Sequence, residues 1–315
     1  MKKIDKDTVI QPNAIARSVY NCTPLERKLI FYACKCRSKD KKQLTTSFKI
    51  SDFQTALHIN YDKNTGGKFK IDLRNAVERL SKQHNTIFLC SETNVFYSAV
   101  WFQSIYYNSD TDSIELQFSE TIGYLIYGLR KNFELLSLET IGGLKSFYSI
   151  RFYELAISYR GFQGTGGNSL DKWYFEITVD DIRRLFQLSD TYKIHEIVRR
   201  IITPALTELN KQLSDFVITF ETLHPYGKKR LVSGYRFNCQ LKGLLAIAVT
   251  GKIPPLEQLD PAERENEQKI SKMTTAFFND YVSYCGKYPK QEIELMPFYN
   301  RRILEIMEKD GFNFE

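Results

Sequence analysis

One supersecondary unit occurs twice in this chain, and the repetition limits the available folds more than any other feature. In the first half, Phe48-Lys49-Ile50 alternates like a short strand. Ser51-Asp52-Phe53-Gln54 follows as a helix-capping box, and Phe53, Ala56 and Leu57 carry a short helix. A polar connection with Gly66-Gly67 leads to a longer helix, Phe69 to Gln83, with Ile71, Leu73, Val77 and Leu80 as its apolar set. Two runs rich in β-branched and aromatic residues come next, Thr86 to Cys90 and Val95 to Tyr107, parted by Ser91-Glu92-Thr93-Asn94. The second half keeps the same order. Ser146 to Tyr159 is a lead helix, followed by a glycine-rich loop at residues 161–167 and the strand Phe175-Glu176-Ile177. Thr178-Val179-Asp180-Asp181 then opens a short helix with Val179, Ile182, Leu185 and Phe186 inward, ending near Ser189-Asp190. The longer helix is Lys193 to Lys211. Phe216 to Thr222 and Leu231 to Cys239 form a hairpin across His224-Pro225-Tyr226-Gly227-Lys228-Lys229-Arg230.

Chance rarely repeats a unit of this size. Strand, capped helix, longer helix and hairpin is the order of a winged helix-turn-helix. The expected fold is therefore α+β: two tandem winged helix-turn-helix domains with a C-terminal helical tail. A length of 315 residues allows two cores, and 43% apolar with 14% aromatic content argues against general disorder. The expected divisions are 1–143, 144–245 and a linker with helical tail at 246–315.

The remaining segments are read in the same way. Residues 1–20 read as a polar arm with a short helix through Ala14, Ile15, Ala16 and Val19. Thr23-Pro24-Leu25-Glu26 is a capping box with proline at the first helical position. Ser113 to Phe118 reads as a strand and Ser119 to Leu129 as a helix between the repeats, with Gly142-Gly143 at the joint. In the tail, apolar sets around Met273 and Phe277 and around Phe298 and Ile303 suggest two helices that either pack or present a surface to a partner.

The longer helix of the second unit has two faces. Ile194, Ile197, Val198, Ile201, Ala205 and Leu209 recur at helical spacing, while Lys193, Glu196, Arg200, Thr203 and Thr207 fall opposite, with Arg199 beside them. The polar face is either solvated or turned to a ligand. A neighbouring hairpin tipped by Lys228, Lys229 and Arg230 favours DNA, because phosphates are met by Lys and Arg and a helix fits the major groove. Arg199 and Arg200 are the leading base or phosphate contacts. Glu196 either pairs with one of them or accepts from cytosine. Arg183 and Arg184, on the supporting helix, reach phosphates or nothing. Lys68, Lys70 and Arg74 begin the equivalent helix of the first unit, either on DNA or as a solvated helix start. Pro204 removes a backbone hydrogen bond and predicts a kink, with Thr203 as a local cap. The net charge of +7 suits a polyanionic partner, as it does in many unrelated proteins.

Enzymatic readings find little support. His58, His84, His195 and His224 are isolated, and six cysteines occur without a CxxC pair, so neither a metal nor a cofactor is expected. Asp110 and Asp112 sit in Ser109-Asp110-Thr111-Asp112-Ser113, which reads as a turn. No GxxxxGK[ST] loop is present. The start, MKKIDKDTVI, has no apolar export region, and no apolar run is long enough to span a bilayer, so a cytoplasmic protein is expected.

The run Ser146 to Leu155, the Trp173 to Phe186 strand and helix, the run Val198 to Asn210, and Asn13-Ala14-Ile15-Ala16 followed by Leu25-Glu26-Arg27-Lys28-Leu29 make the chain resemble a known family. It is similar to the initiator replication (Rep) proteins of theta-replicating, iteron-containing plasmids, over roughly residues 10–240. The resemblance implies binding to double-stranded origin repeats as a monomer, melting of adjacent DNA and recruitment of host replication proteins. It also implies a homodimer, supported by the first domain, that represses the initiator's own gene. A dimeric repressor with no part in replication would share the fold and is the competing reading.

Overall fold

The computed structural model describes residues 8–37, 43–59, 66–82, 86–90, 96–127, 133–160, 171–226 and 231–242. Lys228, Lys229, Arg230, the glycine-rich loop and the expected tail helices lie outside the described residues.

Two three-stranded sheets of like connectivity form the framework. In the first half β2 (Thr45–Lys49) pairs with β6 (Ser113–Phe118), which pairs with β5 (Phe102–Asn108). In the second half β8 (Lys172–Thr178) pairs with β10 (Gly234–Leu241), which pairs with β9 (Phe216–Leu223). In each, the strand before the helix pair lies beside the last strand of the unit. The repetition is therefore real, but its first copy reaches further than expected. The counterpart of β9–β10 is β5–β6, and β3 (Thr86–Cys90) with β4 (Phe96–Val100) forms an additional hairpin. The run Val95 to Tyr107 is broken at Trp101, which is buried and whose carbonyl accepts from Ser119 N. Hydrophobic content alone does not show that break.

Two of the expected helix starts follow local chemistry and a third does not. At α2 (Pro24–Cys36) the Thr23 hydroxyl accepts from Glu26 N at 3.3 Å and the Glu26 carboxylate from Thr23 N at 2.9 Å, so the capping box forms. Thr178 caps α8 (Val179–Leu185) through Asp181 N at 3.0 Å. Ser51 does not cap α3 (Ile50–Ala56), because the helix begins one residue earlier. Asp112 supplies the cap from the β5–β6 turn. Its side chain accepts from Ser51 N at 3.1 Å and its backbone carbonyl from Ile50 N at 3.2 Å. Asp112 has φ of 52°, the left-handed conformation that Asp tolerates better than most residues.

The expected polar arm is a strand in part. β1 (Thr8–Pro12) precedes α1 (Asn13–Ala16) and pairs antiparallel with β7 (Phe133–Ser137), another strand the sequence reading did not find. Between these segments come α4 (Gly66–Ser81) and α5 (Glu120–Tyr127); α6 (Leu138–Gly143) follows β7. Gly142 allows a close approach that no side chain would permit: a Cβ there would lie 2.4 Å from the Leu57 carbonyl oxygen.

α7 (Phe147–Tyr159) joins the halves. Every residue from Ser149 to Ser158 is buried, because one side packs on α1, α2 and β7 and the other on β8 and the helix after α8. A helix between two cores has no solvated face, which explains its weak amphipathic pattern. At its centre the Glu154 carboxylate meets Arg27 at 2.6 Å and Arg151 at 2.6 Å, with all three side chains at 0% exposure. Tyr20 also donates to Glu154. Arg151 reaches the carbonyls of Ala16 at 2.9 Å and Ser18 at 2.7 Å, and Arg27 reaches Gln11 at 2.6 Å. Gln11 in turn donates to Glu134 at 2.7 Å; burial and the neighbouring Glu154 hold the Glu134 carboxyl well above the usual range.

Lys28 donates to Gly142 O at 2.8 Å, and burial lowers its ammonium to about 8 despite Glu208 nearby. Glu154→Ala would leave two buried guanidiniums without their carboxylate, and a loss of about 3–5 kcal/mol is expected in urea denaturation. Between pH 8 and 10.5 the folded protein has released the Lys28 proton while the unfolded chain still holds it. Stability from this group therefore rises with pH across that window. Wild type should gain on Lys28→Met between those pH values, as followed by thermal melting.

Candidate nucleic-acid interface

The third helix of the second unit runs without interruption from α9 (Ile194–Ile197) through a π-helical turn (Val198–Ile202) into α10 (Thr203–Gln212). Pro204 does not end it. The backbone stays right-handed helical at Ile197, Val198, Ile202 and Thr203, and Thr203 N bonds to Val198 O, five residues back. In an α-helix Pro204 would face the Arg200 carbonyl without an N–H to give it and with its ring in the way. The wider turn takes up that conflict. Thr203 is not a cap: α10 has no side-chain cap bond, and Thr203 O instead accepts from the Thr207 hydroxyl at 2.8 Å.

The extra residue in the turn changes the helix phase. Ile197, Ile201, Ile202, Ala205, Leu206 and Leu209 are buried, so Ile202 and Leu206 join the inner face while Val198 is only half-buried. Lys193, Arg199, Arg200 and Thr203 are exposed. Glu196 pairs with Arg200 at 3.2 Å and accepts from Lys193 N at 3.2 Å. That backbone bond first, then the nearby Arg200, holds its carboxyl below the usual range. Thr203 and Thr207 line an open cleft with Lys145, Lys211 and Gly143. Glu208, which the sequence reading passed over, anchors the helix to the joint. Its carboxylate accepts from Lys145 N at 2.6 Å, Ser146 N at 3.1 Å and the Ser149 hydroxyl. Those partners lie about sixty residues away, and no local pattern announces them.

The two arginines of α8 have different surroundings. Arg183 donates to the carbonyls of Ser189 at 3.2 Å, Asp190 at 3.1 Å and Tyr192 at 2.6 Å, tying the turn that leads into α9. Arg184 pairs with Asp181 at 2.6 Å and is half-exposed. Just beyond the paired strands His224 Nδ1 lies 2.9 Å from Leu231 O, and Tyr226 stands fully exposed.

In the first unit, α4 holds Lys68, Lys70 and Arg74 on its exposed side. Lys70 Nζ lies 3.5 Å from Ser109 O, and Arg74 pairs with Glu78 at 3.1 Å. Ile71, expected among the apolar set, is 60% exposed. Phe69, Leu73, Ala76, Val77 and Leu80 make the core stripe without it. Among the described residues no three His, Cys, Asp or Glu side chains converge as a metal site, and no helix is long and apolar enough to cross a membrane.

Strand, helix, third helix and hairpin, twice over and joined through one buried helix, define a tandem winged-helix protein. The sequence matches the WH1 model of initiator replication proteins over residues 8–157 and the WH2 model of the same proteins over residues 178–239, together more than half of the chain. The chain belongs to the initiator replication protein family. Among solved structures it is similar to the Pi initiator protein in complex with iteron DNA. That likeness has a TM-score of 0.58 at 17% identity, covering 76% of this chain and 99% of that one, and it supports the fold. Domains 2 and 3 of RctB match with a TM-score of 0.37 at 12% identity, over 69% of this chain and 82% of that one, a likeness that carries no argument. No curated protein matches.

The two α8 arginines separate by experiment. Arg183→Ala, which frees three carbonyls at the turn, should cost about 1–3 kcal/mol in thermal denaturation. Arg184→Ala should stay within about 0.5 kcal/mol of wild type.

Proposed function

We propose that this replication initiator binds the direct repeats of its own origin as double-stranded DNA, sequence-specifically and without enzymatic chemistry. The observation that carries the reading is the division of the third helix of the second unit. Its inner face is committed to the core, while Lys193, Arg199 and Arg200 stand exposed on its outer face. One protein of similar fold, the Pi initiator, has been seen in complex with iteron DNA, which supports the same class of ligand.

In this reading the stretch from Lys193 to Thr203 enters the major groove. Arg199 and Arg200 meet base edges or phosphates, and Glu196 orients Arg200 until DNA replaces it. Lys228, Lys229 and Arg230 hold the backbone, with Arg184 and Arg183 as flanking charges. Lys68, Lys70 and Arg74 contact a second stretch of the same repeat. Residues 1–143 act as the dimerisation and secondary DNA-contact domain, 144–245 as the main DNA-binding domain, and 246–315 as linker and tail. A monomer on the repeats promotes melting and recruits host replication proteins, while a homodimer represses the gene. The protein works in the cytoplasm and needs neither metal nor cofactor.

Footprinting on the DNA flanking the gene, with unrelated competitor present, should show regularly spaced protection over direct repeats. Protection of a single inverted repeat at a promoter would instead identify a repressor. Arg200→Ala should cost about 1–3 kcal/mol on the specific site and relax sequence choice, whereas Lys229→Ala should weaken all sequences alike and lower the salt slope by about one. Equal behaviour of the two variants would refute the division of labour between helix and hairpin.

A further inference from the structure

The third helix of the first unit carries an isoleucine that packing does not require. Phe69, Leu73, Ala76, Val77 and Leu80 fill the core stripe of α4, each at 8% exposure or less. Ile71 is two residues from Phe69 and from Leu73, which places it on the opposite side of the helix. Its 60% exposure is thus a consequence of helical geometry and not of a loose core. A β-branched residue there lowers helix propensity and leaves apolar surface in water, so folding gains nothing from it.

The neighbours indicate what covers it. Lys68 lies one turn before Ile71, Arg74 and Asn75 one turn after, all exposed, and Lys70 stands beside it. A protein partner would need a broad apolar patch with few charges at its centre, and this face offers one aliphatic side chain among three cations and one carboxylate, Glu78, which pairs with Arg74 at 3.1 Å. Cations, an amide and a single methyl-bearing side chain match DNA in the major groove. Lys and Arg meet phosphates or guanine, Asn can bond adenine in a bidentate manner, and an apolar side chain can touch the 5-methyl group that marks thymine.

We infer that Ile71 is a specificity-determining residue that packs on the 5-methyl group of a thymine in the part of the repeat facing α4. This rests on the DNA-binding reading above. It gives the first unit base recognition of its own, additional to backbone contact.

The test uses the full-length protein and a duplex carrying one direct repeat from its origin. Each thymine is replaced in turn by deoxyuridine, which keeps every hydrogen-bonding group and lacks only the methyl. Wild type should lose about fourfold in affinity at one or two positions, the worth of one buried methyl. Ile71→Ala should bind the unmodified duplex about fourfold or more weakly and show no further loss at those same positions. The exposed site makes an unchanged melting temperature the control for folding. The sensitive thymines should also lie outside the base pairs at which Arg200→Ala relaxes specificity.

An Ile71→Ala protein that binds as wild type, or keeps the same response to uridine at every position, would overturn the inference. So would an altered monomer–dimer balance with DNA binding intact, which would place Ile71 against a second copy of the chain. If wild type shows no preference for the repeat over unrelated DNA, the underlying DNA-binding reading fails, and that is visible before any uridine is introduced.

Discussion

A single carboxylate, that of Glu154, anchors the connecting helix to the first half of this protein. It lies at 0% exposure between Arg27 of the first unit and Arg151 of the connecting helix. Burying three charges is unfavourable unless every partner is well placed, since desolvation can exceed the attraction regained. Here the partners are supplied from several segments: Tyr20 donates to Glu154, backbone carbonyls of Ala16 and Ser18 accept from Arg151, and Arg27 stacks 4.1 Å from the Phe31 ring. The strand pair β1–β7 exists beside this cluster and feeds it Gln11 and Glu134. The residues that carry the family resemblance in Leu25–Leu29 and Ser149–Leu155 therefore build the joint. They contribute to DNA recognition, if at all, by fixing where the helices stand.

Much of the architecture was legible because local signals agreed with it. The capping box at Thr23, the Thr178 cap, the long apolar stripes and the repeated order of elements all point to two winged helices. What was not legible depends on residues far apart in sequence. β1 and β7 are short, carry no alternation strong enough to stand out, and stabilise each other across more than a hundred residues. Ser51 had the residues of a cap, yet Asp112 took the role from a distant turn. Ile71 fits an apolar count on α4 and fails only when the helical angle is worked out residue by residue.

The candidate site was legible in part. Lys193, Arg199, Arg200 and Thr203 are exposed, as the two-faced pattern anticipates. The pattern could not reveal the wide turn at Val198–Ile202, because a one-residue change of phase looks the same as an imperfect stripe. Nor could it show that Arg183 is engaged by three carbonyls, or that Glu208 joins the third helix to the start of α7. Side chains that bind the protein to itself and side chains that wait for a ligand are chemically alike. Only their surroundings separate them.

The connecting helix α7 is buried on every side from Ser149 to Ser158, where it passes between the cores. If both winged helices grip one repeat, as proposed above, the pair acts as a caliper of set gauge. One additional base pair inside the repeat would turn its far portion by about 34° around the duplex axis, given roughly 10.5 base pairs per turn. A hinged reader would swing to follow; a caliper would release one jaw. On that reading the length of the DNA repeat is written in the packing of a protein interior, and a plasmid with a longer repeat needs an initiator with a rebuilt centre.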